Sequence, residues 1–137
     1  MIDCMYNCGF YNEKLGILIC RPKDELTAEK MNDIAICREC LQKSGLPQVN
    51  RFHDLTAITS INLKFEDVHR ISRAEATIRK GSRDVVACYL VSNNLLYGTV
   101  RMYEALIETS GVHVYVSYNL SELAEKLGVD EKELVEN

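Results

Sequence analysis

The cysteines of this 137-residue chain are the first residues whose type and spacing could do chemistry. There are six: Cys4, Cys8, Cys20, Cys37, Cys40 and Cys88. Cys37 and Cys40 form a Cys-x-x-Cys pair, a spacing shared by thiol redox sites and zinc sites. A redox cysteine of that kind sits at a helix N-terminus, where the dipole lowers the thiol pKa. Here the pair falls near the far end of a predicted helix, where the dipole disfavours thiolate. The plainer reading is two helix thiols one turn apart. A four-thiolate zinc site would need Cys4 and Cys8 to reach the same point. On an extended strand those two stand about 13 Å apart (four residues at ~3.3 Å each), too far for one ion unless the segment turns. Cys20 and Cys88 lie inside apolar runs, where a free cysteine behaves as a small hydrophobe. A thiol redox or zinc-binding protein is therefore a third reading of function, with no metal ligands and no cofactor assigned.

The other reactive types are less organised. His53, His69 and His113 share no His-x-His or His-x-x-x-His spacing. No nucleophile elbow, phosphate-binding loop or dinucleotide fingerprint occurs, and no local pair of carboxylates marks an acid and a base. No catalytic residue is assigned, and the chain is read as a non-enzyme. Arg70, Arg73, Arg79, Lys80 and Arg83 give one helix a basic face, ordinarily a solvated surface but able to meet an acidic partner. Arg101 lies beside an apolar stripe and is expected either at the surface or paired with a carboxylate such as Asp54.

The elements that must position these residues are organised around Asp84–Gly111. The apolar run Val85–Val91 suits a strand buried on both faces. Leu96, Val100, Tyr103 and Ile107 follow at helical spacing. Val112, Val114 and Val116 then alternate with His113, Tyr115 and Ser117, so that strand should be half exposed or lie at an edge. Gly98 is the one glycine inside a predicted helix, where it costs about 1 kcal/mol relative to Ala. Close packing against the sheet or another helix would be a reason for it.

Before this unit, Asp3–Tyr11 and Ile17–Cys20 read as strands joined by a turn over Asn12–Gly16, and Pro22 ends the second. Thr27 caps a helix running to about Ser44, and Val49–Leu55 is the next strand. That strand carries Asn50, Arg51, His53 and Asp54, so one of its ends or faces should meet water. Thr56–Lys64 reads as a connection, and Phe65–Lys80 as a helix with Val68, Ile71 and Ile78 inward. Ser121 caps a short helix over Glu122–Leu127, and Glu131–Glu136 adds a turn. Gly45, Gly81, Gly111 and Gly128 each follow an amphipathic segment, where a helix ends. The order is β-β-α-β-α-β-α-β-α, a mixed, mostly parallel five-stranded sheet of the α/β class. If consecutive strands are neighbours, right-handed crossovers put all the helices on one face. The other face then needs cover from the first hairpin or from a second copy.

Composition narrows the function classes. Hydrophobic residues at 47% and charged residues at 26% fit one globular domain over residues 1–137. The net charge of −4 argues against general nucleic-acid binding, which needs a basic face. No apolar run approaches the roughly 20 residues of a transmembrane helix, and no secretory signal is evident. A cytoplasmic protein with mostly free thiols is expected.

Asn50-Arg51-Phe52-His53-Asp54-Leu55-Thr56, then Phe65-Glu66-Asp67-Val68, then Leu96-Tyr97-Gly98-Thr99-Val100-Arg101-Met102-Tyr103-Glu104, followed by a valine-rich strand and a short helix, resemble the STAS-like or SpoIIAA-like family. These are small bacterial domains related to anti-sigma-factor antagonists and, more distantly, to CRAL-TRIO lipid-binding domains. The resemblance covers roughly Leu15–Val129 and is most specific at Tyr97–Tyr103. It implies a sheet wound as a βα superhelix, a regulatory or protein-interaction role, and a homodimer or another protein partner. The distant relationship adds a second reading, a binding module for a lipid or other apolar small molecule. Antagonists of the family carry a phosphorylatable serine after a strand end like Asp54-Leu55-Thr56. That alignment places Leu63 at the serine position, with Thr59 and Ser60 in a different register, so no phosphoswitch is expected. A ligand, if bound, is expected at the carboxyl ends of the parallel strands, on a rim of Asp54, Thr56, Ser92, Asn93 and Arg101.

Overall fold

The computed structural model describes residues 9–31, 49–79, 81, 83–107 and 110–135. Cys4, Cys8, Cys37, Cys40 and Gly45 lie outside the described residues, as do Lys80 and most of the helix predicted to follow Thr27.

The chain begins with a hairpin of β1 (Phe10–Asn12) and β2 (Ile17–Cys20). Its turn closes as the sequence implies. The Gly16 amide donates to the Asn12 carbonyl at 2.8 Å, the Leu15 amide donates to Asn12 Oδ1 at 3.1 Å, and Gly16 takes φ +68°. That left-handed conformation is what glycine adopts at little cost. After Pro22 comes β3 (Asp24–Thr27), and residues 28–31 are helical. Thr27 caps that turn by accepting from the Lys30 amide at 3.2 Å.

The rest runs β4 (Asn50–Asp54), β5 (Ile58–Asn62), α1 (Phe65–Ile78), β6 (Val85–Leu90), α2 (Asn94–Ile107), β7 (Val112–Ser117), α3 (Leu120–Leu127) and α4 (Glu131–Val135). The main sheet has five strands in the order β1-β2-β4-β6-β7. Only β1 is antiparallel; β2, β4, β6 and β7 pair in parallel. This is the mixed, mostly parallel five-stranded α/β sheet that the sequence pattern predicts.

Three expectations are corrected. The segment over 56–64 is more than a connection: β5 pairs with β3 in a second, two-stranded sheet. Ile58 is buried and Ile61 packs on the core, giving this short segment an apolar side to dock. The strand β4 meets water at its ends, Asn50 and Asp54, but turns neither face outward. It lies in mid-sheet, and Arg51 and His53 are both buried. Their polar side chains are held within the interior.

The third correction concerns the second face of the sheet. Movement from β2 to β4 to β6 to β7 is always in one direction, and parallel crossovers are right-handed. The helices α1 and α2 accordingly share one face, where Val68, Leu96, Val100, Tyr103 and Ile107 meet Val85, Ala87 and Tyr89 of β6. Each such aliphatic side chain contributes about 1.5–3 kcal/mol by leaving water. The opposite face is covered chiefly by helices of the same chain, with Phe10 and Leu15 of the hairpin packed beside them. The helices α3 and α4 fold back over it, and Leu123, Ala124, Leu127 and Leu134 pack on Ile17, Ile19, Phe52 and Cys88. Here α3 starts two residues earlier than its sequence suggests. Asn119, not Ser121, is the cap, its Oδ1 accepting from the Ser121 amide at 2.9 Å. The helix ends at Gly128 with φ +71°.

Candidate functional site

Three places could carry a function: a buried polar cluster, the carboxyl rim of the parallel strands, and a groove beside β7.

The buried cluster lies between the sheet and the two crossover helices. Arg51 extends from β4 and donates through Nη1 to Glu75 Oε1 on α1. The Tyr103 hydroxyl of α2 donates to the other oxygen, Oε2. Arg51 and Glu75 are each 1% exposed. Burial by itself disfavours the Arg51 cation, but the facing Glu75 carboxylate, together with Tyr103 and Tyr89, more than offsets it and raises the guanidinium pKa above its usual value. Beside them His53 stacks on Tyr89 at 4.3 Å between ring centroids, and Tyr89 meets Tyr103 edge-on at 6.1 Å. A small cavity adjoins this group, lined by His53, Tyr89 and Tyr103 with Leu26, Met31, Val68 and Val100. Its volume is about 40 Å³. That is room for a few waters at most, against the roughly 300 Å³ or more of a small-molecule pocket. The cluster holds three elements in one register and has no space for a substrate.

The rim residues are each committed to local structure. Asp54 Oδ1 accepts from the Thr56 amide at 3.0 Å and from the Thr56 hydroxyl at 2.6 Å, forming a turn at the end of β4. Asn93 Oδ1 accepts from the Leu96 amide at 2.9 Å and caps α2. Ser92 is exposed next to it. Arg101 is not part of this group. It pairs with Glu104 at 2.8 Å one turn along α2, while the cation beside Asp54 is Arg21, at 3.8 Å. The basic face of α1 is interrupted too. Arg70 and Arg73 are exposed, but Arg79 is buried and donates to the carbonyls of Ser110 and Arg83. The one-directional winding also bears on the rim. Ligand clefts in open α/β sheets form where strand order reverses, and this sheet has no such point.

Sequence reasoning missed Glu75, Tyr103's hydroxyl and the burial of Arg51. A signal existed for Glu75: it follows Val68 and Ile71 by seven and four residues, on the inward stripe of α1. Arg51 and His53, two apart on one strand, must share a face. The ring stack of Tyr97 on Tyr118, 5.5 Å between centroids, carries no such signal because the two residues lie far apart in sequence.

Cys20 and Cys88 are buried, as their apolar settings imply, and Cys88 is a free thiol. Cys88 Sγ donates to the Leu123 carbonyl at 3.7 Å, and burial pushes its pKa up to about 12 against the partial opposition of Lys126. Among the described residues, no three His, Cys, Asp or Glu side chains converge on a metal-sized point. Among them also, no helix is long and apolar enough to cross a membrane.

The third place is a groove of about 500 Å³ lined by Arg101, Glu104 and Ala105 of α2 and by Val112–Tyr115 of β7. It runs along the strand that ends the main sheet.

A parallel sheet wound in one direction, with one antiparallel edge strand and a terminal helix folded onto the back, defines the chain as a STAS/SpoIIAA-like domain in fold. Among solved structures it is similar to an uncharacterized protein of the DUF3478 family with a SpoIIAA-like fold, from Shewanella loihica PV-4. The TM-score is 0.53 at 12% identity, over 81% of this chain and 83% of that one. At that identity the likeness is one of fold. No family model and no curated protein matches the sequence.

Proposed function

We propose that this chain is a non-enzymatic regulatory or protein-interaction module that acts in the cytoplasm as a homodimer. The observation that carries this reading is the distribution of its polar and open surfaces. The side chains that could do chemistry are engaged in turns, caps and the buried Arg51–Glu75–Tyr103 cluster. The surface left open for contact is a strand edge with a groove beside it. The antagonist phosphoswitch has no support: Leu63 stands at the aligned position and packs on the core. The lipid-binding reading is the weaker one, since the apolar cavity is about 40 Å³.

Light scattering on purified protein tests the homodimer, which should weigh twice 15.6 kDa. A 15.6 kDa species persisting at high concentration would count against it. Crosslinking in cells followed by mass spectrometry tests the interaction role. Recovery of metabolite-converting activity from the pure protein would contradict the non-enzymatic reading.

A further inference from the structure

The last strand of the main sheet is its most exposed liability. Among the described residues, β7 pairs with β6 along one edge and with no strand along the other. It is six residues long, whereas the other strands that end a sheet, β1, β3 and β5, have three to five. An open strand edge offers a row of unpaired amides and carbonyls to any other strand. Proteins usually blunt such edges with proline, lysine, bulges or a covering loop. The sequence Val112-His113-Val114-Tyr115-Val116-Ser117 has none of these residues, and its register with β6 is unbroken.

The groove along this edge has a composition that suits a copy of itself. Arg101 and Glu104, of opposite sign, stand together on its α2 wall with the small Ala105. A twofold interface brings each surface against its own image, so a patch carrying both signs complements itself. Gly98, Arg101 and Ala105 are spaced three and four residues apart and form one exposed stripe of α2. Nothing in the single copy lies within 4 Å of where a Cβ on Gly98 would stand. The helix thus bears the cost of an interior glycine with no neighbour to account for it.

We propose that two copies join by antiparallel pairing of β7 with β7, forming one continuous ten-stranded sheet, with the α2 helices meeting along the Gly98–Arg101–Ala105 stripe. This rests on the homodimer reading above and locates its interface. The alternation of β7 restricts the register to those that oppose like faces, and the one centred on Val114 pairs all three valines with valines. Directly opposed residues in an antiparallel ladder share a face. With Val114 on the twofold axis, Val112 opposes the second copy's Val116, and His113 opposes the second copy's Tyr115. Valines then extend the apolar side, and the His–Tyr pairs lie on the other. A shift by one residue would set valines against the polar side and is excluded. Because Val112–Tyr115 and Arg101–Ala105 line one groove, the same axis serves strand and helix. Arg101 then faces the second copy's Glu104.

A charge swap tests this. Dimer dissociation constants are measured by light scattering over a dilution series for wild type, Arg101→Glu, Glu104→Arg and the double variant. Each single reversal sets like charges across the axis twice and should weaken the dimer at least tenfold. The double variant should recover most of the loss in dimerisation; because it also restores the Arg101–Glu104 pair within each helix, thermal melts of the four dilute monomers, expected to agree closely, separate the interface from a folding defect. In parallel, hydrogen exchange of the β7 amides should slow as concentration rises. A wild-type chain that stays monomeric overturns both the interface and the homodimer reading. A wild-type dimer insensitive to both reversals, with β7 exchange independent of concentration, overturns the interface alone.

Discussion

The guanidinium of Arg51, on a central strand, is held against the carboxylate of Glu75 on α1, and each residue is 1% exposed. A buried ion pair offsets much of its own desolvation, so its net contribution to stability is small while the cost of breaking it is large. Its effect is on register. It fixes how α1 lies across the sheet, and Tyr103 extends the constraint to α2.

Removing one partner should therefore be worse than removing both. Arg51→Met or Glu75→Leu alone should cost about 3–5 kcal/mol, because each leaves an uncompensated charge in the interior. The double variant should lose clearly less than the sum of the two. Urea denaturation of the four proteins completes the cycle. Additive losses would show that the two side chains do not act as a pair.

Cys88 makes a prediction about alkaline pH. Its thiol is raised from 9.0 to about 12 in the folded chain, chiefly by burial. A group whose folded pKa is raised contributes stability in full below its unfolded pKa, and that contribution disappears as pH climbs through the folded value. Cys88 should thus make the fold lose stability between about pH 9 and 12. Cys88→Ala should show a shallower decline over that window in thermal melts, even though it starts lower from the lost packing. At neutral pH Cys88 should resist alkylation until the chain unfolds. Fast labelling of native protein would contradict the assignment.

Gly98 separates the single chain from the assembly. Under dilute, monomeric conditions Gly98→Ala should raise stability by about 0.5–1 kcal/mol, since the new Cβ meets open space and the helix gains a better former. Gly98→Leu should leave the monomer folded and weaken the dimer. A Leu variant that melts well below wild type as a monomer would return the glycine to the role first expected for it, close packing within one copy.

How much of this was legible in the residues depended on range. The alternation of Val112–Ser117, the apolar run Val85–Leu90 and the helical spacing of Leu96 to Ile107 each specify an element through neighbours a few positions away, and those elements formed as read. The pairing of β3 with β5 was not legible, because a four-residue strand has too little pattern to announce a partner more than thirty residues on. Asn50, Arg51, His53 and Asp54 suggested a wet strand since polarity is local information, whereas Glu75, which makes Arg51 tolerable inside, comes from another element. The local bonds of the rim residues were equally hidden. Asp54 and Asn93 do lie beyond strand ends, but their own turns and caps use them. Arg101 was drawn toward Asp54 on charge alone, although Glu104, one turn away, was nearer.

The return of α3 and α4 over the back of the sheet has a consequence for synthesis. Ile17, Ile19, Phe52 and Cys88 are laid down early or midway, yet the side chains that cover them belong to residues 123–134. A ribosome that has made everything through β7 holds a chain with one finished face and one bare apolar wall. Arg21 also reaches the Leu134 carbonyl, and Lys14 meets Glu133 at 3.2 Å, so the β1–β2 hairpin is fastened to α4, which follows it by more than a hundred residues. That face of the sheet therefore stays uncovered until residues 123–134 are available to pack on it.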